Sequence, residues 1–365
     1  MALAFVVFAA VTAASQPVVD EAAFADVIAA DQAPAATTTT SAPASGNAAN
    51  PEISVITVFS GTASLEDRPM TFQAGDDPAD RGFTVQEAEI AFSSDVDPYF
   101  KLKAFLAIPR LEGVEVEEAY ALTTSLPANL LVKAGIFRSS FGRNNEQHLH
   151  VAEFATRPKL TALLGDDGLR APGGQVSWLI PGLPWYATLW TEAFSLGREA
   201  SGAAGLEQFF EISDSWSLLA GVNGATLKRA PEEDVMPLPP VPPRETLVGG
   251  DLYLKWKPPN VVDTYAWVAL TIEGVARRTE DADEWNGAAY TSLVAQVARR
   301  VRVGARYERA AHEWNTSGSL SFLPSEYSRL ALTVAHDHPE VEDLRNTYFI
   351  LSLSAAIGAH GAHPF

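Results

Sequence analysis

From residue 53 to residue 357 the chain keeps returning to a period of two. Segments of about ten residues alternate apolar with polar or small side chains, and Pro, Gly, Asn, Asp or Ser bound most of them. In residues 83–94, Ala88, Ile90 and Phe92 fall on one face, and Val85, Glu87 and Glu89 on the other. In residues 99–108, Phe100, Leu102, Ala104, Leu106 and Ile108 face one way, and Lys101 and Lys103 the other. Successive side chains of a strand point to opposite faces, so each segment has one greasy side and one wet side. About ten residues is also the length a tilted strand needs to cross a bilayer. The fold class that follows is all-β, a transmembrane antiparallel up-and-down β-barrel of about sixteen strands.

The segments are residues 53–59, 83–94, 99–108, 114–124, 130–137, 173–180, 185–194, 206–212, 216–227, 247–256, 262–275, 288–298, 301–311, 317–323, 328–336 and 345–357. Tight turns such as Asp95-Val96-Asp97-Pro98, Pro181-Gly182-Leu183-Pro184, Ser213-Asp214-Ser215 and Arg299-Arg300 alternate with longer connections. The longest connection is 138–172, and another, 231–245, is rich in Pro. Such asymmetry is expected of a barrel with periplasmic turns at one end and external loops at the other. Trp185, Trp190, Trp216, Trp256, Trp267, Tyr265 and Tyr348 lie within or near strand ends and are expected to form aromatic girdles. A large soluble sandwich or solenoid would also alternate, but with shorter strands.

Composition narrows the classes. The chain has no Cys, which removes disulfides, thiolate metal sites and Cys nucleophiles. A formal charge of -19 argues against nucleic-acid binding as the main activity. Mean hydropathy is +0.01, as a half-greasy, half-wet barrel wall should average. Residues 1–15 open with MALAFVVFAAVTAA and are expected to be a signal peptide, with Thr12-Ala13-Ala14 or Ala13-Ala14-Ser15 as the small-residue cleavage site, although the usual basic n-region is missing. Residues 16–50, rich in Ala, Thr, Ser and Pro, are expected to be a low-complexity periplasmic leader, with the barrel over 51–365.

Turning the greasy face to lipid leaves Glu87, Glu89, Lys101, Lys103, Glu115, Glu117, Lys133, Asp251, Lys255, Arg302, Arg306 and Glu308 facing the lumen. A Lys or Arg at mid-membrane on the lipid side costs roughly 2–4 kcal/mol, whereas a wet interior tolerates it. The signs change from strand to strand, from Glu87/Glu89 to Lys101/Lys103 to Glu115/Glu117 to Lys133, so cross-strand charge ladders are expected. Glu118 follows Glu117 and breaks the alternation, which a bulge or a strand end would explain.

Val132-Lys133-Ala134-Gly135-Ile136-Phe137-Arg138-Ser139-Ser140-Phe141-Gly142 resembles the strand-end pattern of the phosphate-selective porin-like family. Val116-Glu117-Glu118-Ala119-Tyr120 is similar to an upstream strand of that family, and Pro324-Ser325-Glu326-Tyr327-Ser328-Arg329-Leu330 resembles related porin-like proteins. The resemblance covers roughly residues 53 to 365. It implies that the third external loop, here 138–172, folds into the barrel and narrows it. Arg138, Arg143, Arg157, Lys159 and Arg170 would then line the constriction, and a ring of Arg or Lys favours anions. The same charges would equally serve as solvated, fold-stabilising loop residues. The family's phosphate-binding Arg ladder and Lys cluster have no clear counterpart here, so the solute stays open.

His148-Leu149-His150 sets two imidazoles on one side of an extended segment. The pair is a candidate metal site, with Asp166, Asp167, His360 and His363 as other candidate ligands, or simply loop-packing histidines. The function expected is an outer-membrane porin-like channel for passive diffusion of small polar or charged solutes, without cofactor or catalytic residue. Its expected partners are outer-membrane lipid and lipopolysaccharide, the barrel-assembly machinery through Phe365, small solutes and, by analogy, two further copies in a homotrimer. Three other classes stay in view. One is an energised receptor for a metal or small ligand, which needs a folded plug. Another is a barrel lipase using Ser139 or Ser140 with His148. The third is a closed structural or adhesive barrel.

Overall fold

A computed structural model describes residues 51–358, except 67–69, 71–76, 80, 198, 230–242, 260–264, 312 and 341–344. The signal peptide and leader expected over 1–50, and the tail bearing His360, His363 and Phe365, lie outside the described residues. Sixteen strands close into one barrel, each antiparallel to both neighbours. They are β1 (Glu52–Ser64), β2 (Gly82–Asp97), β3 (Phe100–Pro109), β4 (Glu115–Thr123), β5 (Leu130–Arg138), β6 (Arg170–Leu179), β7 (Tyr186–Leu196) and β8 (Glu199–Ser213). The second half is β9 (Trp216–Leu227), β10 (Glu245–Trp256), β11 (Trp267–Thr279), β12 (Asn286–Ala298), β13 (Val301–Ala310), β14 (Glu313–Ser325), β15 (Ser328–Pro339) and β16 (Asn346–Gly358). Closure comes from β1 against β16, in register from Ser54 opposite Gly358 to Ser64 opposite Tyr348. No strand edge is left to desolvate in lipid.

The two faces sort as the alternation requires. Along β14, Asn315, Ser317, Ser319, Ser321 and Leu323 are buried, while Thr316, Gly318, Leu320 and Phe322 are exposed. Leu189, Val222, Leu252, Ile272, Leu293, Leu320 and Leu351 are exposed large apolar side chains from strands around the barrel, and together they form the greasy belt. The inner face holds small hydroxyl residues, including Thr333 and Ser352, and the charged residues described below.

Several strands differ in their bounds from the sequence reading, β8, β11 and β14 among them. β8 starts at Glu199 rather than 206, because Ser201-Gly202-Ala203-Ala204-Gly205 carries no large apolar residue to mark it. Small residues are needed there, since a Cβ on Gly205 would collide with the Trp190 indole. β14 begins at Glu313 and β11 runs from Trp267 to Thr279, with 262–264 outside the described residues. Connections on the long-loop side include the short 110–114, 197–198 and 311–312, so short and long do not strictly alternate.

The aromatics also need correcting. Trp216 and Tyr265 are exposed, and Trp256 lies opposite Trp216 in register. Trp190 and Tyr348, however, are buried on the inner face. Trp267 turns inward too, with its Nε1 donating to Gln296 Oε1 at 2.9 Å. Parity along the strand decides this, not nearness to a strand end. Exposed aromatics include Tyr99, Phe100, Trp216, Tyr265 and Tyr327 at the tight-turn end, and Phe83, Trp285 and Tyr307 towards the other.

Two bulges sit side by side. Between β1 and β2 the register shifts so that Gln86 is the extra residue, and between β3 and β4 the extra residue is Glu117. Gln86 and Glu87, and likewise Glu117 and Glu118, are therefore buried as adjacent pairs. The break at Glu118 is a bulge.

Two substitutions test this account. Leu293→Arg, on the outer face at the middle of β12, should lower the unfolding free energy in lipid vesicles by roughly 2–4 kcal/mol; an unchanged urea midpoint would contradict the assigned outer face. Gly135 has φ 144°, and a Cβ there would meet the carbonyl of Ala119 and the backbone of Tyr120. Gly135→Ala should therefore cost about 1–3 kcal/mol in the same assay, and a neutral result would show that β4 and β5 separate freely.

Candidate functional site

Residues 139–169, between β5 and β6, do not stand outside the barrel but turn into its lumen. The neck is closed by Asn145. Its Nδ2 donates to the carbonyls of Ser139 and Leu169 at 2.7 and 2.9 Å, and its Oδ1 accepts from the Leu169 N–H at 2.7 Å. Gly142, at φ 77°, turns the chain where a Cβ would strike the Glu273 carboxylate. Phe141, Leu160, Leu163, Leu164 and Leu169 then bury against inward wall residues, including Trp190, Phe194, Leu227, Leu247 and Tyr290. Fully burying a Leu or Phe stabilises by about 1.5–3 kcal/mol. This apolar core, partly built on a single helical turn over Thr161–Leu164, is why the loop lies inside.

Polar anchors fix its course around the wall. Glu192 on β7 accepts from Ser139 Oγ at 2.5 Å and from the Ser140 N–H at 2.9 Å. Glu273 on β11 accepts from the Asn144 N–H and from Tyr290 Oη, both at 3.0 Å. Glu308 on β13 accepts from the Lys159 N–H at 2.7 Å. In the reverse direction, the loop's Glu153 accepts from Arg302 at 3.1 Å, Ser319 at 3.1 Å and Ser321 at 3.0 Å. Arg306 donates to the carbonyl and the hydroxyl of Thr156 at 2.8 and 2.9 Å. This network gives many buried polar groups of loop and wall a partner and spans the wall from β7 to β14.

Between loop and wall remains a cavity of about 140 Å³, whose charged lining residues are Arg143, Arg157, Lys255, Arg302, Arg306 and Glu153. Aromatic faces hold several of these cations. Arg143 lies 3.9 Å from the Tyr253 ring centre, Arg302 5.0 Å from Trp267 and Arg306 4.6 Å from Phe154. A cation over a ring is steadied without losing its charge. Arg302 and Arg306 also pair with Glu153 and Glu308, at 3.1 and 2.7 Å.

Of the five loop cations expected from sequence, Arg143 and Arg157 line this cavity. Arg138 and Arg170 are strand residues facing each other across β5 and β6. Arg138 is buried, paired with Glu117, and donates to the Asp167 carbonyl at 2.6 Å. Arg170 pairs with Glu115 at 3.6 Å, and Lys159 with Glu313 and Asp337 at 3.1 and 3.6 Å. On the wall, Lys255, Arg302 and Arg306 reach the cavity, while Asp251 takes a bond from Asn223 Nδ2 at 3.4 Å.

The strand register does not set the residues of the expected charge ladder directly opposite one another. The turn at Pro98-Tyr99 sets Lys101 opposite Asp95 and Lys103 opposite Ser93, with Glu89 opposite Ala107 and Glu87 opposite Pro109. Lys101 accordingly approaches Asp95, at 4.0 Å, and Lys133 lies over the Phe137 ring at 4.4 Å. Glu153, Glu192 and Glu273, which carry much of the anchoring, were absent from the sequence-derived set. For Glu192 and Glu273, inward parity on β7 and β11 was the available signal.

The two histidines land on the opposite wall. His148 Nδ1 lies 2.9 Å from Glu89 Oε2 and 3.2 Å from Glu117 Oε2, and its ring packs 4.8 Å from Phe105. His150 Nδ1 is 3.6 Å from Glu89 Oε2. Burial of His148 disfavours its charged form, but Glu117 and Glu89 prevail and hold its pKa well above the ordinary value. The hydroxyls of Ser139 and Ser140 are engaged by Glu192 and Glu146, at 2.5 and 2.6 Å, rather than by His148.

No family model matches the chain. Among solved structures it is similar to the loop L8 deletion mutant of OmpT, an outer membrane protein of Vibrio cholerae, at TM-score 0.58 and 11% identity over 85% of this chain and 100% of that one. The in-vitro folded trimer form of OmpT follows at TM-score 0.56 and 11% identity, over 84% and 99%. The anion-selective porin from Comamonas acidovorans matches at TM-score 0.53 and 11% identity, over 84% and 100%. These likenesses show a porin-like outer-membrane barrel fold. By sequence, the chain belongs to the family of an uncharacterized protein of Aquifex aeolicus (strain VF5), to which it is 32% identical over 342 residues, covering 78% of this chain and 70% of that protein.

Proposed function

We propose that this barrel is a porin-like channel of the bacterial outer membrane, through which small polar or charged solutes diffuse passively and small anions are preferred. The observation that carries the reading is the cavity left by the inward loop, where Arg143, Arg157, Lys255, Arg302 and Arg306 face one lining carboxylate, Glu153. Basic residues around a narrow passage lower the barrier for anions. The chain's overall charge of -19 does not oppose this, because exposed charges are screened beyond roughly 8–10 Å in salt. The inward loop agrees in kind with the phosphate-selective porin-like pattern, but the solute assigned here is the broader class of small anions. In this reading the barrel is not an enzyme. It contacts lipid and lipopolysaccharide through its apolar belt, is assembled through Phe365 and packs as a homotrimer, with 1–15 and 16–50 as export signal and leader.

Bilayer recording tests the reading. In a KCl gradient the refolded protein should give a reversal potential of the sign set by chloride. The double substitution Arg143→Glu and Lys255→Glu should move it towards potassium. Potassium selectivity in the unaltered protein would contradict the anion preference. Removing 147–166 while keeping Ser139, Asn145 and Leu169 at the neck should raise single-channel conductance several-fold. Equal conductance would remove the loop as the constriction, and silence of both proteins would favour a closed structural barrel.

A further inference from the structure

On the wall opposite the cationic cavity, five side chains from three separate parts of the chain converge. Glu87 and Glu89 come from the bulged part of β2, Glu117 from the bulge on β4, and His148 and His150 from the inward loop. One ligand atom each of Glu89, Glu117 and His148 lies within 4.8 Å of the other two, and the same holds for Glu87, Glu89 and His150. Glu89 belongs to both groups. We propose that Glu89, Glu117 and His148, with Glu87 and His150 beside them, form a binding site for a first-row divalent cation such as Zn²⁺, which clasps the loop to the β2–β4 wall.

Three observations support the site. The first is spacing. Ligands about 2.0–2.2 Å from a tetrahedral ion stand about 3.3–3.6 Å from one another. The distances here are 2.9 Å from His148 Nδ1 to Glu89 Oε2, 3.2 Å from His148 Nδ1 to Glu117 Oε2 and 3.6 Å from His150 Nδ1 to Glu89 Oε2. Small movements would open the group around an ion. The second is burial, since Glu89 is 1% exposed and Glu117 2%, so these are not solvated surface acids. The third is independent of the cluster's composition. Glu89 Oε1 is buried and has no hydrogen-bond partner among the described residues. Such an orphan carboxylate oxygen costs free energy that a bound cation would recover.

The donor set selects the ion class. Imidazole nitrogens with carboxylate oxygens suit Zn²⁺ and its neighbours better than Mg²⁺ or Ca²⁺, which prefer all-oxygen shells. Arg138 engages Glu117 through Oε1, leaving Oε2 towards His148, and so positions that carboxylate as an outer-shell partner does. Ala107 on β3, opposite Glu89 on one side and Glu115 on the other, puts a small side chain between the two acidic strands. The site does not depend on whether the barrel conducts.

The test uses the full chain, refolded in detergent and stripped with chelator. Calorimetric titration with ZnCl₂ should show a single strong equivalent. Glu89→Gln, and separately the pair His148→Gln and His150→Gln, should weaken it at least about a hundredfold. His360→Ala with His363→Ala should leave it unchanged. Retained heat-modifiable mobility on gels shows that each variant is folded. If a variant does not fold, Co²⁺ added to the unaltered protein reads the site directly. Intense visible bands of a four- or five-coordinate nitrogen and oxygen site support it. An aquo-like Co²⁺ spectrum, no saturable Zn²⁺ uptake, or uptake insensitive to Glu89→Gln and to the loop histidines would overturn the proposal. None of these readouts uses conductance, so failure here leaves the channel reading separately tested.

Discussion

Water is absent from the middle of a bilayer, so every peptide N–H and C=O that crosses it must find a partner within the protein. Sixteen antiparallel strands meet that demand only because β1 pairs with β16 along its length. From that closure the rest follows. Once the sheet is a cylinder, alternation assigns each side chain either to hydrocarbon or to the interior. The exposed row of Leu, Val and Ile and the buried row of Ser, Thr and charged residues are two readings of one constraint.

The interior is then a problem of its own. A lumen lined by charges is stable if wet or if paired, and pairing is extensive in this barrel. The loop over 139–169 brings its own apolar core, around Phe141, Leu160 and Leu164, and carboxylates reach across from β7, β11 and β13 to hold its backbone. Removing one partner of such a buried pair costs far more than the pair contributes, which makes the loop's position robust and its anchors individually sensitive. What the loop leaves unfilled is basic on one side, while the wall at β2 and β4 is acidic and carries the histidines. The two regions have opposite chemistry because they are lined by different strands.

Much of this architecture is legible in the sequence. The strict parity of β14 is written in Asn315, Ser317, Ser319 and Ser321, and the misfit of Glu118 marked a bulge. The strand count and the inward charges follow from the same period, whereas the entry of the long loop is implied only by the resemblance to the phosphate-selective porin-like pattern. What sequence could not carry is lateral placement. The start of β8 hides in small residues whose role is to make room for Trp190, a partner on another strand. Lys101 and Lys103 share a face with Glu87 and Glu89, yet the hairpin turn sends them to opposite ends of that face. Counting outward from the turn would have shown this. The meeting of Glu89, Glu117 and His148 needs a bulge on each of two strands and the path of a folded-in loop, and no local pattern specifies their combination.

Every feature above rests on a closed, two-faced cylinder in lipid. The chain has no Cys, so a nitroxide can be placed at one chosen position at a time. Labels stepped along residues 315 to 323 of β14, in bilayers, report contact with dissolved oxygen, which concentrates in the hydrocarbon. The account predicts high oxygen contact at 316, 318, 320 and 322 and low contact at 315, 317, 319, 321 and 323. Uniform contact along the strand, or the opposite phase, would contradict it.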